Sequence, residues 1–160
     1  MRLLHAVALL AFMSTAASAQ EGASAPPPPL VPETVVAILE KAVDGAIRPG
    51  YAAFSDSTDR LGAGLRALCD APSATTLDSA RAAFKATAAQ WARIEIVRAG
   101  PVLQDNRFER ILYYPDRKGL GLRQVQALLA EQDASVLAVG ALEGKSVAVQ
   151  GLGALEFVLF

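Results

Sequence analysis

Apolar residues recur every three or four positions along the middle of the chain, and this spacing limits the fold more than any other feature of the sequence. In residues 51–68 and again in residues 77–94, it places the apolar side chains on one side of a helix. The sequence Ala71-Pro72-Ser73 predicts a turn between these two helices. No segment alternates apolar and polar residues as a half-buried strand does. The sequence therefore predicts an all-α fold, an antiparallel helical bundle of four or more helices.

The amino terminus has the features of a secretory signal peptide over residues 1–19. Arg2 precedes an apolar run, and the small residues Ala17-Ser18-Ala19 form a cleavage site. No cysteine follows this site, so we expect a protein of the periplasm or cell envelope that is not lipid-anchored. Residues 20–32 are predicted to form a proline-rich linker. Residues 33–160 are predicted to form the helical domain, with Pro49 breaking or kinking its first helix.

Composition narrows the classes of function. The chain has 15 basic and 16 acidic residues and a net charge of −1, so we expect no nucleic-acid partner. Its one histidine, His5, lies in the predicted signal peptide, so the rest of this sequence supplies no histidine for a Ser-His-Asp triad or a zinc site, and any such group must lie in missing sequence. Cys69 is the only cysteine, which excludes an internal disulfide. We expect no transmembrane segment in the mature chain.

The last stretch, residues 150–160, places one carboxylate in otherwise apolar sequence. Read as a helix, it sets Glu156 one turn after Gly153. A glycine inside a helix costs about 1 kcal/mol relative to alanine, so Gly151 and Gly153 suggest that another backbone, a ligand or a metal approaches closely. A buried carboxylate must be paired or coordinated, so we expect a partner for Glu156. The chain stops inside this apolar run without a capping signal, which predicts a fragment.

A second polar group lies near the end of the second predicted bundle helix. Trp91, Glu95 and Arg98 are spaced to stack along one side of a helix that Gly100-Pro101 would end. Two interpretations are open. Glu95 and Arg98 form an ordinary surface pair, worth less than about 1 kcal/mol, or they form a polar site beside Trp91 at a mouth between helices. The irregular segment that follows, residues 102–121, is a further candidate for the functional site, because long loops over helical bundles often carry function.

Three segments together resemble the imelysin-like family of bacterial envelope proteins. They are residues 91–101, the sequence Tyr114-Pro115-Asp116 before Arg123-Gln124, and residues 150–156. The resemblance covers nearly all of the mature chain. It implies a fold of two helical bundles, of which this truncated chain would supply the first. It also implies a periplasmic or surface location and a link to iron uptake.

The motif of that family, G-x-H-x-x-E, corresponds here to Gly151, Gly153 and Glu156, with glycine at the histidine position. Histidine and glutamate at that spacing share a helix face and could coordinate a metal together. Glu156 alone is a harder oxygen site, better suited to iron or another divalent cation than to zinc. Glu95 and Asp116 could add carboxylates. Taken together, the motif and the residue spacing predict Glu156 and Glu95 as metal ligands and Trp91, Arg98, Gly151 and Gly153 as ligand contacts.

Three functions follow from these features. The favoured one is a binding protein of iron acquisition, which holds a metal or a metal-bearing ligand and whose partners could include other envelope iron-uptake components. The second is a helical interaction module without a metal, in which Glu156 pairs with Arg98 or another basic residue. The third is a metal-dependent peptidase with Glu156 as base. The absent motif histidine argues against peptidase activity.

Overall fold

The structure, a computed structural model, describes residues 29–160, and every regular element within them is helical. The α-helices are α1 (Pro32–Ala42), α2 (Arg48–Asp70), α3 (Ala74–Ile94), α4 (Arg107–Ile111), α5 (Leu120–Glu131) and α6 (Gly151–Leu159). A π-helical turn lies at Val43–Ile47, and 3-10 turns lie at Gly100–Asn106, Ala134–Leu137, Ala141–Gly144 and Val147–Val149. No helix in the described range is long and apolar enough to cross a membrane. The all-α prediction is confirmed, whereas the predicted signal peptide and most of the predicted linker lie outside the described residues.

The two longest helices, α2 and α3, pack as an antiparallel pair. The predicted turn at residues 71–73 joins them, and Ser73 caps α3: its hydroxyl accepts a hydrogen bond from the Thr76 amide at 3.1 Å. In return, the Thr76 hydroxyl accepts from the Ser73 amide at 3.0 Å, which completes a capping box. At the other end of the pair, Gly50 of α2 lies directly against the Ile94 side chain. The helices therefore run in opposite directions along their full lengths.

The apolar core lies between this pair, α4, α6 and the first 3-10 turn. Its buried members are Leu61, Ala80, Phe84, Trp91, Ile94, Val102, Phe108, Leu152 and Leu159. Thr87 is fully buried, and its hydroxyl donates to the carbonyl oxygens of Ser57 at 2.9 Å and Ala83 at 3.0 Å. This polar side chain is thus accommodated at the α2–α3 contact without an unpaired hydroxyl.

Pro49 does not break the first helical segment, contrary to one of the two expected outcomes. The chain stays helical from Pro32 to Asp70, and the irregularity is the π-helical turn Val43–Ile47 just before the proline. Proline has no amide hydrogen and its ring crowds the carbonyl four residues earlier, here Gly45. The wider π-helical turn lies where this crowding acts.

Candidate functional site

A cavity of about 310 Å³ lies between α5, α6 and the segment that connects α4 to α5. We call it the α5–α6 cavity. Its lining consists of Leu112, Tyr113, Tyr114, Asp116, Gly121, Leu122, Val125, Ala148, Gly153, Glu156 and Phe157. Two carboxylates and two phenols are among these residues, and no basic residue is. The cavity is the candidate site because Gly153 and Glu156, two residues singled out in the sequence, meet there.

Gly151 fixes where α6 begins. Its φ is +67°, and a Cβ atom at this position would overlap the carbonyl oxygens of Arg110 and Ile111. The expectation that another backbone approaches a glycine closely is correct here, and the backbone is that of α4. Because α6 begins at Gly151, Val147 and Val149 belong to a separate 3-10 turn. The helix predicted within residues 150–160 is thus observed as Gly151–Leu159.

Gly153 and Glu156 lie on the face of α6 that is turned toward the cavity, while Leu152 and Leu159 are buried in the core. A Cβ atom at Gly153 would meet only Leu112 Cδ1, at 4.0 Å, so this glycine leaves open space. Glu156 is exposed, and its side chain has no hydrogen bond or ion pair with any residue in the described range. The expectation that Glu156 is buried is wrong, because the residues around it line an open cavity.

Asp116 also lines the cavity, but its oxygens are occupied. One carboxylate oxygen accepts from the Leu120 amide at 2.6 Å, and the other accepts from the amides of Gly121 at 2.9 Å and Leu122 at 3.3 Å. These are the otherwise unsatisfied amides of the first turn of α5, where a negative charge is also favourable to the helix dipole. Asp116 therefore anchors α5, and Glu156 remains as the cavity carboxylate without a partner in residues 29–160.

Trp91 is part of the core. It is 1% exposed, and its ring lies between those of Phe54 and Phe108, with both centroid separations at 5.2 Å. Its indole Nε1 is buried and has no hydrogen-bond partner in the described part of the chain. Trp91 does not line the α5–α6 cavity. The ring of Trp91 therefore has no exposed face for the predicted contact with a ligand.

Glu95 and Arg98 do not stack on one side of a helix. α3 ends at Ile94, before the expected stop at Gly100-Pro101, and Arg98 lies beyond it with its guanidinium carbon 4.1 Å from the centroid of the Phe108 ring. Tyr51 of α2 donates a hydrogen bond to the Val97 carbonyl at 2.9 Å, which holds this segment outside the helix. No ion pair joins Glu95 to Arg98 within residues 29–160, and neither residue lines the cavity. Both interpretations of Glu95 and Arg98 assumed that the helix continues to Gly100-Pro101, whereas α3 ends at Ile94.

Sequence reasoning missed several residues of the cavity. Tyr113 and Tyr114 belong to the irregular segment considered a general candidate, and Tyr114 to a segment of the family resemblance, but neither was predicted as a site residue. Leu112 and Phe157 carried no signal of their own, because each reads as an ordinary core residue. Only the position of α6 against residues 112–116 brings them together.

Residues 29–160 by themselves do not fit a resident metal ion. No group of three or more histidine, cysteine, aspartate or glutamate side chains within residues 29–160 is arranged to hold one. Of the two cavity carboxylates, Asp116 is bonded to three backbone amides. Glu95 lies outside the cavity, so the predicted pairing of Glu95 with Glu156 on a shared metal gains no support from this arrangement.

Comparisons with known proteins give one family. Residues 47–160 match the family model for imelysin. The chain is similar to the crystal structure of an imelysin-like protein from Psychrobacter arcticum 273-4, with 28% sequence identity and a TM-score of 0.73. The similarity covers 82% of this chain and 41% of that one, so the chain spans less than half the length of this relative. No curated protein matches.

Proposed function

The chain belongs to the imelysin family, and on this premise we propose that it is a cell-envelope binding protein of iron acquisition that holds its ligand in the α5–α6 cavity. The observation that carries the proposal is that Gly153 and Glu156, which occupy two positions of the family motif, line the same cavity. The predicted signal peptide supports the envelope location. Glu156 supplies a free, exposed carboxylate as the anchor for the ligand.

The charge of the cavity favours a cationic or metal-bearing ligand. Two carboxylates and no basic residue line it, so the local potential attracts positive charge. A bare ion would need several protein ligands, whereas a metal complex that keeps its own donors needs only one or two. Glu156 supplies one oxygen donor, and the phenols of Tyr113 and Tyr114 line the same space. Iron therefore enters the proposal as cargo, in complex with a small molecule.

Ferric nitrilotriacetate tests this proposal, because it keeps coordination positions open for a protein oxygen. We expect the mature protein to bind it and Glu156→Gln to weaken binding by about tenfold, the loss expected when a charged contact is removed. Glu95→Gln is the matched control, since it removes a carboxylate that lies outside the cavity. We expect it to bind as the wild type does. Isothermal titration calorimetry measures all three affinities.

Three outcomes of that titration contradict the proposal. Equal affinity of Glu156→Gln and wild type would remove the α5–α6 cavity as the site. An equal loss in both variants would show a general effect of negative charge instead of a contact at Glu156. Absence of binding by the wild type would remove the ferric complex as cargo.

Peptidase activity is expected to be absent. Zinc peptidases hold their metal with nitrogen ligands, and the position where the motif has histidine is Gly153, so the motif itself supplies no imidazole to a zinc ion. A broad peptide library incubated with the protein and added zinc should stay intact, as judged by mass spectrometry. Zinc-dependent cleavage that disappears in Glu156→Gln would show this prediction to be wrong.

A helical interaction module is the second candidate, and one observation favours it. Apolar side chains of α5 and α6 are exposed: Leu122 by 46%, Leu129 by 53%, Phe157 by 38% and Val158 by 58%. Such a surface is suited to another helix. This function needs no metal complex and predicts no effect of Glu156→Gln on ferric nitrilotriacetate binding.

A further inference from the structure

A second cavity, of about 360 Å³, lies between α2, α4 and the chain around the first 3-10 turn. Tyr51 and Phe54 of α2, Val102 of the turn and Ile111 of α4 contribute its walls, and Arg107 is the one charged residue in its lining. We call it the Arg107 pocket. None of these residues lines the α5–α6 cavity. It is therefore a separate candidate site.

The size and surface of the Arg107 pocket suit a small apolar molecule. An apolar cavity of roughly 150 Å³ can hold benzene, and small-molecule sites begin at about 300 Å³. The hydroxyl of Tyr51 is already committed, since it donates to the Val97 carbonyl at 2.9 Å. Burial raises the pKa of Tyr51, so this side chain stays neutral at physiological pH. The walls thus offer hydrocarbon contact, and the ionic group of the pocket is the Arg107 guanidinium.

Arg107 has donors left for a ligand. Its Nη1 donates to the Pro101 carbonyl at 3.2 Å and its Nη2 donates to Asp105 Oδ2 at 3.2 Å. A guanidinium carries five N–H groups, so most remain after these two bonds. The Arg107 and Asp105 side chains are 49% and 77% exposed, so solvent screens their ion pair and makes it weak. A second carboxylate can therefore share or replace Asp105 on Arg107.

We propose that the Arg107 pocket binds an apolar carboxylic acid, a medium-chain alkyl or an aromatic one. Its carboxylate accepts hydrogen bonds from Arg107, and its hydrocarbon part packs against Phe54, Val102 and Ile111. Charge complementarity selects the acid over an amine of the same size. The apolar walls select it over a small polar anion.

Three probes with the same alkyl chain test this proposal: octanoate, octanol and octylammonium. Trp91 is the only tryptophan of the chain and its ring packs against Phe54, a wall of the pocket, so its fluorescence reports occupancy. Calorimetry gives a second, independent readout. We expect octanoate to bind roughly fivefold more tightly than octanol, in line with one partly exposed charged contact. Octylammonium should bind more weakly than either.

Two variants should shift octanoate affinity in opposite directions. Arg107→Gln keeps a donor for the Pro101 carbonyl but removes the charge, so octanoate should lose its advantage over octanol. Asp105→Asn removes the competing carboxylate and should tighten octanoate binding roughly twofold. Asparagine tolerates the left-handed backbone at this position, where φ is +53°. Circular dichroism of both variants checks that they fold.

The proposal is overturned if octanol binds as tightly as octanoate, if Arg107→Gln keeps the preference, or if Asp105→Asn weakens octanoate binding. Absence of octanoate binding by wild type in both readouts overturns it as well. Glu156→Gln should bind octanoate with unchanged affinity, because Glu156 does not line this pocket. The test is therefore independent of the function proposed for the α5–α6 cavity.

Discussion

Gly151→Ala should destabilise the protein by roughly 3–5 kcal/mol, the range of severe single substitutions, whereas Gly153→Ala should leave its stability unchanged or raise it. At Gly151 the φ of +67° is unfavourable for alanine, and the added Cβ would overlap two carbonyl oxygens of the α4 backbone. Neither carbonyl can move without distorting α4. A whole domain is stable by only about 5–15 kcal/mol, so little of the folded state would remain in a marginal protein.

Gly153→Ala is the matched control two residues further along α6. A Cβ atom there has Leu112 Cδ1 as its nearest neighbour, at 4.0 Å, which is an ordinary contact. Alanine also favours the helix interior by up to about 1 kcal/mol over glycine. Urea unfolding followed by circular dichroism measures both variants. A similar loss in both would contradict the arrangement of α6 against α4 and the cavity.

The two glycines show how far the sequence could be interpreted. The free-energy cost of glycine within a helix correctly indicated that space is needed beside Gly151 and Gly153. It did not indicate what occupies that space. At Gly151 the space is filled by the backbone of residues about 40 positions earlier in the chain, and at Gly153 it opens into a cavity. Local sequence does not contain this difference, because it depends on which distant segment packs against each residue.

Helix periodicity predicted the middle of the fold well. The apolar spacing of α2 and α3 and the turn at residues 71–73 follow from local rules, and the structure agrees with each. The predicted end of α3 was wrong. The prediction relied on Gly100-Pro101, the strongest local stop signal, whereas the helix ends at Ile94. The β-branched residues Ile94, Ile96 and Val97 propagate a helix weakly, and the Tyr51 hydroxyl bonds the Val97 carbonyl. That hydrogen bond joins residues far apart in sequence.

The candidate site was predicted less well than the fold. Glu156 and Gly153 were correctly grouped on one face by their three-residue spacing. Whether that face is buried depends on where α6 begins and which side carries Leu152 and Leu159 to the core. An exposed carboxylate keeps its hydration and costs little free energy, even in an apolar stretch of sequence. The argument that Glu156 must have a partner therefore does not hold.

Trp91 is the largest fully buried side chain in residues 29–160, so its substitution should have one of the largest effects on stability. The size of that effect also tests whether Trp91 is a core residue or a ligand contact. Trp91→Ala removes a 1%-exposed ring that contacts Phe54 and Phe108, and should cost about 3–5 kcal/mol of unfolding free energy. Trp91→Phe should cost much less. It loses ring volume but also removes Nε1, a buried donor without a partner in the described residues, whose desolvation costs about 1–3 kcal/mol.

Chemical denaturation followed by circular dichroism measures these two Trp91 variants without relying on the fluorescence they remove. Ferric nitrilotriacetate titration of Trp91→Phe then tests the sequence-based hypothesis that Trp91 contacts a ligand. The structure predicts unchanged affinity, because the ring does not line the α5–α6 cavity. A stable Trp91→Phe protein that binds the complex at least about tenfold more weakly would restore Trp91 to the site, since such a loss corresponds to about 1.4 kcal/mol of direct contact.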